Sequence, residues 1–133
     1  MPKNRMTLTD AFATFDAKPV NTRWACSDIA GDGALVFSLW SIFFKPSSES
    51  PRRYVDRLSR WTRNPYGRRL AHEHLTLAFS KKRRVRLVMA FPKNPDAVKA
   101  GAAATGGNTW SVRKDLVGKI TSFNGDRFVI DFK

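Results

Sequence analysis

Short runs of apolar, β-branched and aromatic residues predict five strands, at 23–29, 34–40, 85–91, 119–123 and 126–132. The second run is apolar on both faces, which predicts a strand near the centre of its sheet. A turn rich in glycine joins the first two strands into a hairpin. Asn124 and Gly125 predict a two-residue turn between the last two strands, with Phe123 opposite Asp126. That register places Phe123, Phe128, Ile130 and Phe132 on the core face, and Ile120 on the other face.

Apolar residues at helical spacing predict three helices, at about 8–15, 51–63 and 68–79. Thr7 and Asp10 have the spacing of a capping pair for the first helix. Ser50 followed by Pro51 suits the start of the second, and residues 64–67 are interpreted as a turn before the third.

Together these elements predict an α+β fold: one compact domain with a twisted antiparallel sheet of about five strands and two to three helices. The sheet is expected to curl towards a half-barrel. Residues 1–20 are interpreted as a basic tail and a short helix, and residues 21–133 as the domain. Proline, glycine and alanine between 92 and 109 predict a flexible loop there.

Charge adds a functional prediction, because the net charge of +13 is concentrated in one stretch. Residues 52–86 hold ten arginines and two lysines against only Asp56 and Glu73, which is +10 of that total. A balance so one-sided indicates a polyanionic partner, most commonly nucleic acid. Arg83 and Arg84 follow the end of a predicted helix and are expected to extend into solvent. The predicted nucleic-acid contacts are Arg52, Arg53, Arg57, Arg60, Arg63, Arg68, Arg69, Lys81, Lys82, Arg83 and Arg84.

The four tryptophans divide into two groups. Trp40 and Trp61 are assigned to the core. Trp24 and Trp110 lie near turns and beside cationic residues, where an indole ring can stack on a base. Trp24 is therefore added to the predicted contacts.

No catalytic or metal-binding motif emerges from the sequence. His72 and His74 are two residues apart on a predicted helix and point about 200° apart, so they cannot share one metal there. Cys26 is the single cysteine and is interpreted as a buried thiol. We therefore expect no metal and no small-molecule cofactor. If the protein is an enzyme, His72 or His74 could act as a single general base, and His72 is the candidate catalytic residue.

The chain shows no signal peptide and no apolar run long enough for a membrane span, so a cytoplasmic protein without a membrane partner is expected.

Four short motifs resemble a family of small bacterial and prophage-borne proteins associated with HNH-type nucleases. They are Asn21 with Arg23 and Trp24; Leu39 with Trp40; Arg69 with Leu70 and His72; and Lys119 with Ile120 and Phe123. Where the family usually has an acidic residue after the second motif, this chain has Ser41 and Ile42. The resemblance implies a compact α+β module in a prophage, defence or anti-defence setting, and it implies no catalytic residue.

The sequence thus predicts a basic nucleic-acid-binding protein rather than an enzyme. Two alternatives stay open. One is a phage-type inhibitor of a host nucleoprotein or CRISPR-type complex, with the same basic surface gripping that complex. The other is a small nuclease that uses a histidine as general base.

Overall fold

The computed structural model describes residues 6–22, 24–45, 52–100 and 108–133. Within these ranges the α+β class is confirmed, with one sheet of seven strands and three α-helices. The sheet order is β1-β2-β5-β6-β7-β4-β3. The elements in chain order are α1 (Leu8–Ala13), β1 (Ser27–Ile29), β2 (Leu35–Trp40), β3 (Phe44–Lys45), β4 (Arg52–Arg57), α2 (Pro65–Ser80), β5 (Arg84–Phe91), α3 (Pro95–Lys99), β6 (Thr109–Phe123) and β7 (Arg127–Phe132).

The sheet is mixed, which corrects the prediction of an antiparallel sheet of about five strands. β2 pairs with β5 in parallel, and the other neighbours are antiparallel. β1 and β3 lie at the two edges. The extra strands come from the stretch between β2 and α2, where the sequence predicted a helix.

The predicted helix at 51–63 is wrong, because residues 52–57 form β4 and a single 3₁₀ turn, Leu58–Arg60, follows it. The pattern of apolar residues in this segment fits both the helical period of 3.6 residues and the strand period of two. At a period of two, Tyr54 and Asp56 point inward, while Arg53, Val55 and Arg57 point to the other face. Pairing with β7 satisfies the backbone and decides in favour of the strand. Ser50 and Pro51, the expected helix start, lie outside the described residues.

The prediction of the third helix is confirmed, and the helix begins earlier than expected. Asn64 is its cap, since the Asn64 side chain accepts a hydrogen bond of 3.1 Å from the backbone N–H of Gly67. Pro65 follows as the first helical residue, where its fixed φ fits and its missing N–H costs nothing. The residues assigned to a turn therefore form the first turn of α2.

The C-terminal hairpin forms, but in a different register from the one predicted. Phe123 lies opposite Phe128 instead of Asp126. The Asn124 side chain accepts hydrogen bonds from the backbone N–H groups of Asp126 (2.9 Å) and Arg127 (2.8 Å), so the turn centres on Gly125 and Asp126.

A shift of two residues keeps each side chain on its face, and Phe128, Ile130 and Phe132 are buried as predicted. An irregularity between Ile120 and Ser122 turns Ile120 into the core, against the prediction.

The region predicted as a loop, residues 92–109, contains the short helix α3 and ends where β6 begins. Asn94 caps α3 by accepting from the backbone N–H of Ala97 at 3.2 Å. Residues 101–107 lie outside the described part of the chain.

Helices cover the two faces of the sheet unequally. α2 packs across one face, where Ala71, Leu75 and Ala78 meet the core side chains of β2, β5 and β7. On the other face the shorter α1 covers β2, β5 and the first residues of β6, through Leu8 and Phe12 against Val36, Val88, Trp110 and Val112. The rest of that second face, formed by β3, β4, β7 and the later residues of β6, therefore carries no helix from the described residues.

Among the described helices, none is both long enough and apolar enough to cross a membrane.

Candidate functional site

The uncovered half of the sheet is strongly cationic. Residues that alternate with the core positions of β3–β7 point to this face, and seven of them are lysine or arginine, with Asp131 as an acid among them. The Arg86 guanidinium lies over the Phe15 ring, 4.8 Å from its centroid, so six of the seven belong to the uncovered surface. We call this set the sheet-face patch; its members are Lys45, Arg53, Arg57, Arg84, Lys119, Arg127 and Asp131.

Strand pairing sets like charges directly opposite one another in this patch. Cations that face each other across neighbouring strands destabilise a sheet, where an opposite charge would stabilise it. Three such pairs occur: Lys45 with Arg53, Arg57 with Arg127, and Arg84 with Lys119.

Internal ion pairs neutralise only part of the sheet-face patch. Arg53 donates to Asp131 through both Nε (2.6 Å) and Nη2 (3.0 Å), and Arg84 pairs with Asp32 in the β1–β2 turn. A second contact within that turn fixes the Asp32 side chain, because the Asp32 carboxylate also accepts from the backbone N–H of Ala34 at 3.0 Å. The hydrogen bond from Ala34, with the Arg84 guanidinium, lowers the pKa of Asp32.

Four cations of the patch form no ion pair with a described residue, although Lys119 lies opposite Asp131 across β6 and β7. Lys45, Arg57, Lys119 and Arg127 are exposed, and no hydrogen bond or ion pair joins their side chains to another described residue. They are the part of the patch that is available to an anionic partner.

A second cationic surface follows the outer side of α2, on the opposite side of the sheet. Its cations are exposed and have no acidic partner in the described part of the chain. Tyr66 lies among them with 61% of its surface exposed, and its ring leans on Trp24 with centroids 5.6 Å apart. We call Arg63, Tyr66, Arg68, Arg69 and His72 the helix-face patch.

A groove of about 440 Å³ borders the helix-face patch, between the start of α2 and the tip of the β6–β7 hairpin. The His72 ring packs against Phe123 at its wall, with centroids 5.7 Å apart. Asp126 on the far wall is occupied, since it accepts from Ser59 through the backbone N–H (2.7 Å) and the hydroxyl (3.0 Å). The lining residues are Leu58, Ser59, Pro65, Arg68, Arg69, His72, Glu73, Gly125 and Asp126.

A second groove, of about 570 Å³, lies between the C-terminal end of α2 and β6, with Lys82 and Arg83 among its lining residues. Arg83 does not extend freely into solvent as predicted, because its Nη1 donates to the carbonyl of Gly33 at 3.2 Å. The ion pair of Arg84 with Asp32 likewise ties that side chain to the β1–β2 turn. Lys81 and Lys82 are exposed.

Two further predicted contacts, Arg60 and Arg52, belong to neither patch and line neither groove. Arg60 belongs to a network inside the protein, where Nε and Nη2 donate to Asp56 at 2.8 and 2.7 Å and Nη1 donates to the carbonyl of Val98 at 2.6 Å. Arg52 is exposed at the start of β4. Arg113 lowers the pKa of the Asp115 carboxyl, and the charge of Arg52 adds to that shift. Arg60 is therefore committed to the fold.

The two histidines point to different sides of α2. His72 is exposed at the groove, whereas His74 is half-buried against β1, with its Nδ1 2.8 Å from Oγ of Ser27. Burial lowers the pKa of His74, and the charges of Asp28 and Glu73 oppose that shift. Ser27 is only 1% exposed, so this pair has a packing role.

No cluster of three or more metal-binding side chains occurs among the described residues. Burial, with the charge of Asp56, raises the pKa of the Cys26 thiol to about 12, which makes it a poor nucleophile or ligand at neutral pH.

Trp24 is a better stacking candidate than Trp110. The Trp110 indole donates to Oγ of Ser38 at 3.2 Å and packs against the α1 cluster. Trp61 is buried in the core as predicted, and Trp40 is half-buried.

Sequence reasoning missed Lys45, Lys119, Arg127 and Tyr66. The lysines and Arg127 lie outside the basic stretch, and only the strand register shows that they share a face with Arg53 and Arg57. The sequence did contain a signal for Tyr66. It follows Asn64 and Pro65, a capping residue and a first helical residue, and therefore lies in the first turn of a helix.

Comparison of the chain with protein-family models, with curated proteins and with solved structures finds no match.

Proposed function

We propose that this protein binds nucleic acid, and that the sheet-face patch contacts the phosphates. The observation that carries the proposal is the pair Arg57 and Arg127, which face each other on neighbouring strands, exposed and without an acidic partner among the described residues. A polyanion that neutralises both side chains removes a repulsion that the fold otherwise retains.

The type of cation favours phosphate as the neutralising group. Two of the four cations without an internal ion pair, Arg57 and Arg127, are arginines, whose planar guanidinium can donate two parallel hydrogen bonds to phosphate oxygens. The uncovered sheet provides a continuous surface on which successive phosphates of one backbone can lie. Contacts of this kind bind without reading sequence.

Charge reversal at this pair tests the proposal. In an Arg57→Glu, Arg127→Glu variant we expect weaker binding to single- and double-stranded DNA and RNA, measured by fluorescence anisotropy at two salt concentrations. If the four cations without an internal ion pair meet phosphates, log K should fall with log salt at a slope of about −3.6 for duplex DNA, and the variant should flatten that slope by about 2.

A matched control separates the patch from overall charge. Lys93→Glu with Lys99→Glu makes the same change in net charge at exposed residues around α3, outside the patch. We expect this control to bind almost as tightly as the wild-type protein. If the Arg57 and Arg127 variant also binds like wild type at both salts, the sheet face is not the interface.

The two alternatives have their own readouts. An inhibitor of a nucleoprotein complex is captured from a bacterial lysate with that complex, and the capture survives nuclease treatment. A nuclease shortens the probe in the binding assay, and His72→Ala abolishes the shortening. The prophage or defence setting implied by the resemblance stays a prediction.

A further inference from the structure

Tyr66 is an aromatic side chain presented to solvent on a rigid support. Its ring packs against Trp24 at an angle of 43°. The carbonyl of Trp24 accepts from Nδ2 of Asn64 at 3.0 Å, and Asn64 caps the same helix that carries Tyr66. Trp24, which supports the Tyr66 ring, is thereby held against α2 by both a ring contact and a hydrogen bond.

Gly67 allows the Trp24 segment to approach α2 this closely. A Cβ at position 67 would lie 2.4 Å from the Trp24 carbonyl oxygen and 2.3 Å from Nδ2 of Asn64, so no larger residue fits without displacing backbone. The close contact holds the Trp24 ring against Tyr66 and leaves 61% of Tyr66 uncovered. Such a preorganised aromatic surface is suited to stacking.

Cations continue from Tyr66 across the helix. Tyr66, Arg69 and His72 follow at intervals of three residues, so each side chain is rotated by about 60° from the one before it. Arg69 therefore lies on the outer side of α2, between Tyr66 and the groove of about 440 Å³. Arg68 and His72 line that groove.

We infer that the helix-face patch is a second binding site, which takes a single-stranded segment of nucleic acid across α2. One base stacks on Tyr66, the adjoining phosphate binds Arg69, and the next nucleotide enters the groove beside Arg68 and His72. The inference rests on the proposed function only in taking the partner to be nucleic acid.

Base stacking distinguishes this site from the sheet-face patch. In a duplex each base is already stacked between its neighbours, so only an unpaired base can place its face on Tyr66. The sheet-face patch has phosphate-binding cations and accepts either form. Because α2 lies on the opposite side of the sheet from that patch, the two sites can be altered separately.

The test uses the Arg57→Glu, Arg127→Glu protein, in which the sheet face is weakened, and compares Tyr66→Ala with Tyr66→Trp in that background. We expect Tyr66→Ala to lower the affinity for a 12-nucleotide single strand about tenfold, the effect of one lost stacked base, and to leave duplex binding unchanged. Tyr66→Trp should retain single-strand binding, since it keeps an aromatic face.

Leu77→Ala is the control, because Leu77 is a partly exposed apolar residue on the same helix, about 16 Å further along its axis. Its affinity for the single strand should equal that of the parent, and melting temperatures check that every variant folds. Equal affinity of Tyr66→Ala and its parent for the single strand, or an equal loss on single strand and duplex, overturns this inference. Failure of the wild-type protein to bind any nucleic acid overturns the proposed function instead.

Glu73 supplies a second, independent readout. It lines the groove beside Arg69 and opposes an incoming phosphate. Glu73→Gln should therefore tighten single-strand binding. Unchanged or weaker binding in that variant would show that the strand does not pass through the groove.

Discussion

Arg60 lies in the most basic stretch of the chain, yet its guanidinium is directed at a carboxylate inside the protein. Asp56 is only 7% exposed and also accepts from the Trp61 indole at 3.1 Å. Through its bond to the Val98 carbonyl, Arg60 ties the end of β4 to α3. Burial, with the charge of Asp56, raises the pKa of Tyr54 in the same network well above its usual value, so its hydroxyl stays protonated.

Asp56→Asn should destabilise the protein by about 3 kcal/mol, because it leaves the Arg60 charge partly buried without a counter-charge. Urea unfolding at neutral pH measures the effect. Asp131→Asn is the matched control, since it breaks the bidentate pair with Arg53, whose side chain is more exposed, and should cost about 1 kcal/mol or less. Similar losses in both variants would contradict an internal role for Asp56.

His74 gives the stability of the protein a pH dependence of known sign. Its pKa is lowered in the folded state from a usual value of 6.5, so the unfolded chain binds this proton more readily. The contribution of neutral His74 is complete above pH 6.5 and is lost as the pH falls from there through the folded pKa. In the neutral form Nδ1 can accept the Ser27 hydroxyl, and protonation removes that acceptor.

We therefore expect the free energy of unfolding to decrease as the pH is lowered below 6.5, and His74→Gln to reduce that decrease. Urea titrations at several pH values compare the two proteins. An identical pH dependence would show that this histidine does not contribute.

Among the elements, the hairpin of β6 and β7 was predicted from its turn residues, although the turn centres on Gly125 and Asp126, one residue later than predicted. Gly125 has a φ of 97°, in the region that favours glycine. Space at this position is not limiting, since a Cβ there would have His72 Nε2 as its nearest contact at 3.9 Å. The backbone conformation alone thus requires glycine.

Gly125→Val should destabilise the protein by more than about 1 kcal/mol, because a β-branched residue is strained at positive φ. Gly125→Asn is the comparison, as asparagine tolerates this region better and should lose less. Thermal unfolding followed by circular dichroism ranks the three proteins. A valine variant that melts with the wild type would argue against this turn geometry.

Strand β4 shows why a local pattern was not sufficient. Residues 52–57 satisfy both a helical and an alternating pattern, and the sequence offers no local means to choose. The choice depends on β7, whose edge supplies hydrogen bonds to β4 along its whole length. Tertiary pairing overrides the local signal when both periods fit.

For the molecule as a whole, exposed cations of the described residues lie on both sides of one sheet. The sheet-face patch and the helix-face patch each keep cations without acidic partners in the described part of the chain. This division is what allows one small protein to be proposed to hold two nucleic-acid segments, or two parts of one strand.

The sequence by itself determined the features that depend on neighbouring residues. Helical spacing and its capping residues predicted α2, the alternation of apolar residues predicted β5 and β7, and Asn124 with Gly125 predicted a turn. The total charge and the class of partner it favours also follow from composition, because both are sums over residues.

Only the tertiary structure decided which cations share a surface. Arg53 and Asp131 pair across 78 positions of sequence, and Arg57 meets Arg127 in the same way. The face that a strand residue occupies depends on register, and a single irregularity in β6 moved Ile120 into the core. Because register is set by contacts between distant strands, the basic stretch could be recognised from the sequence, but its division into an inward Arg60 and two opposite surfaces could not.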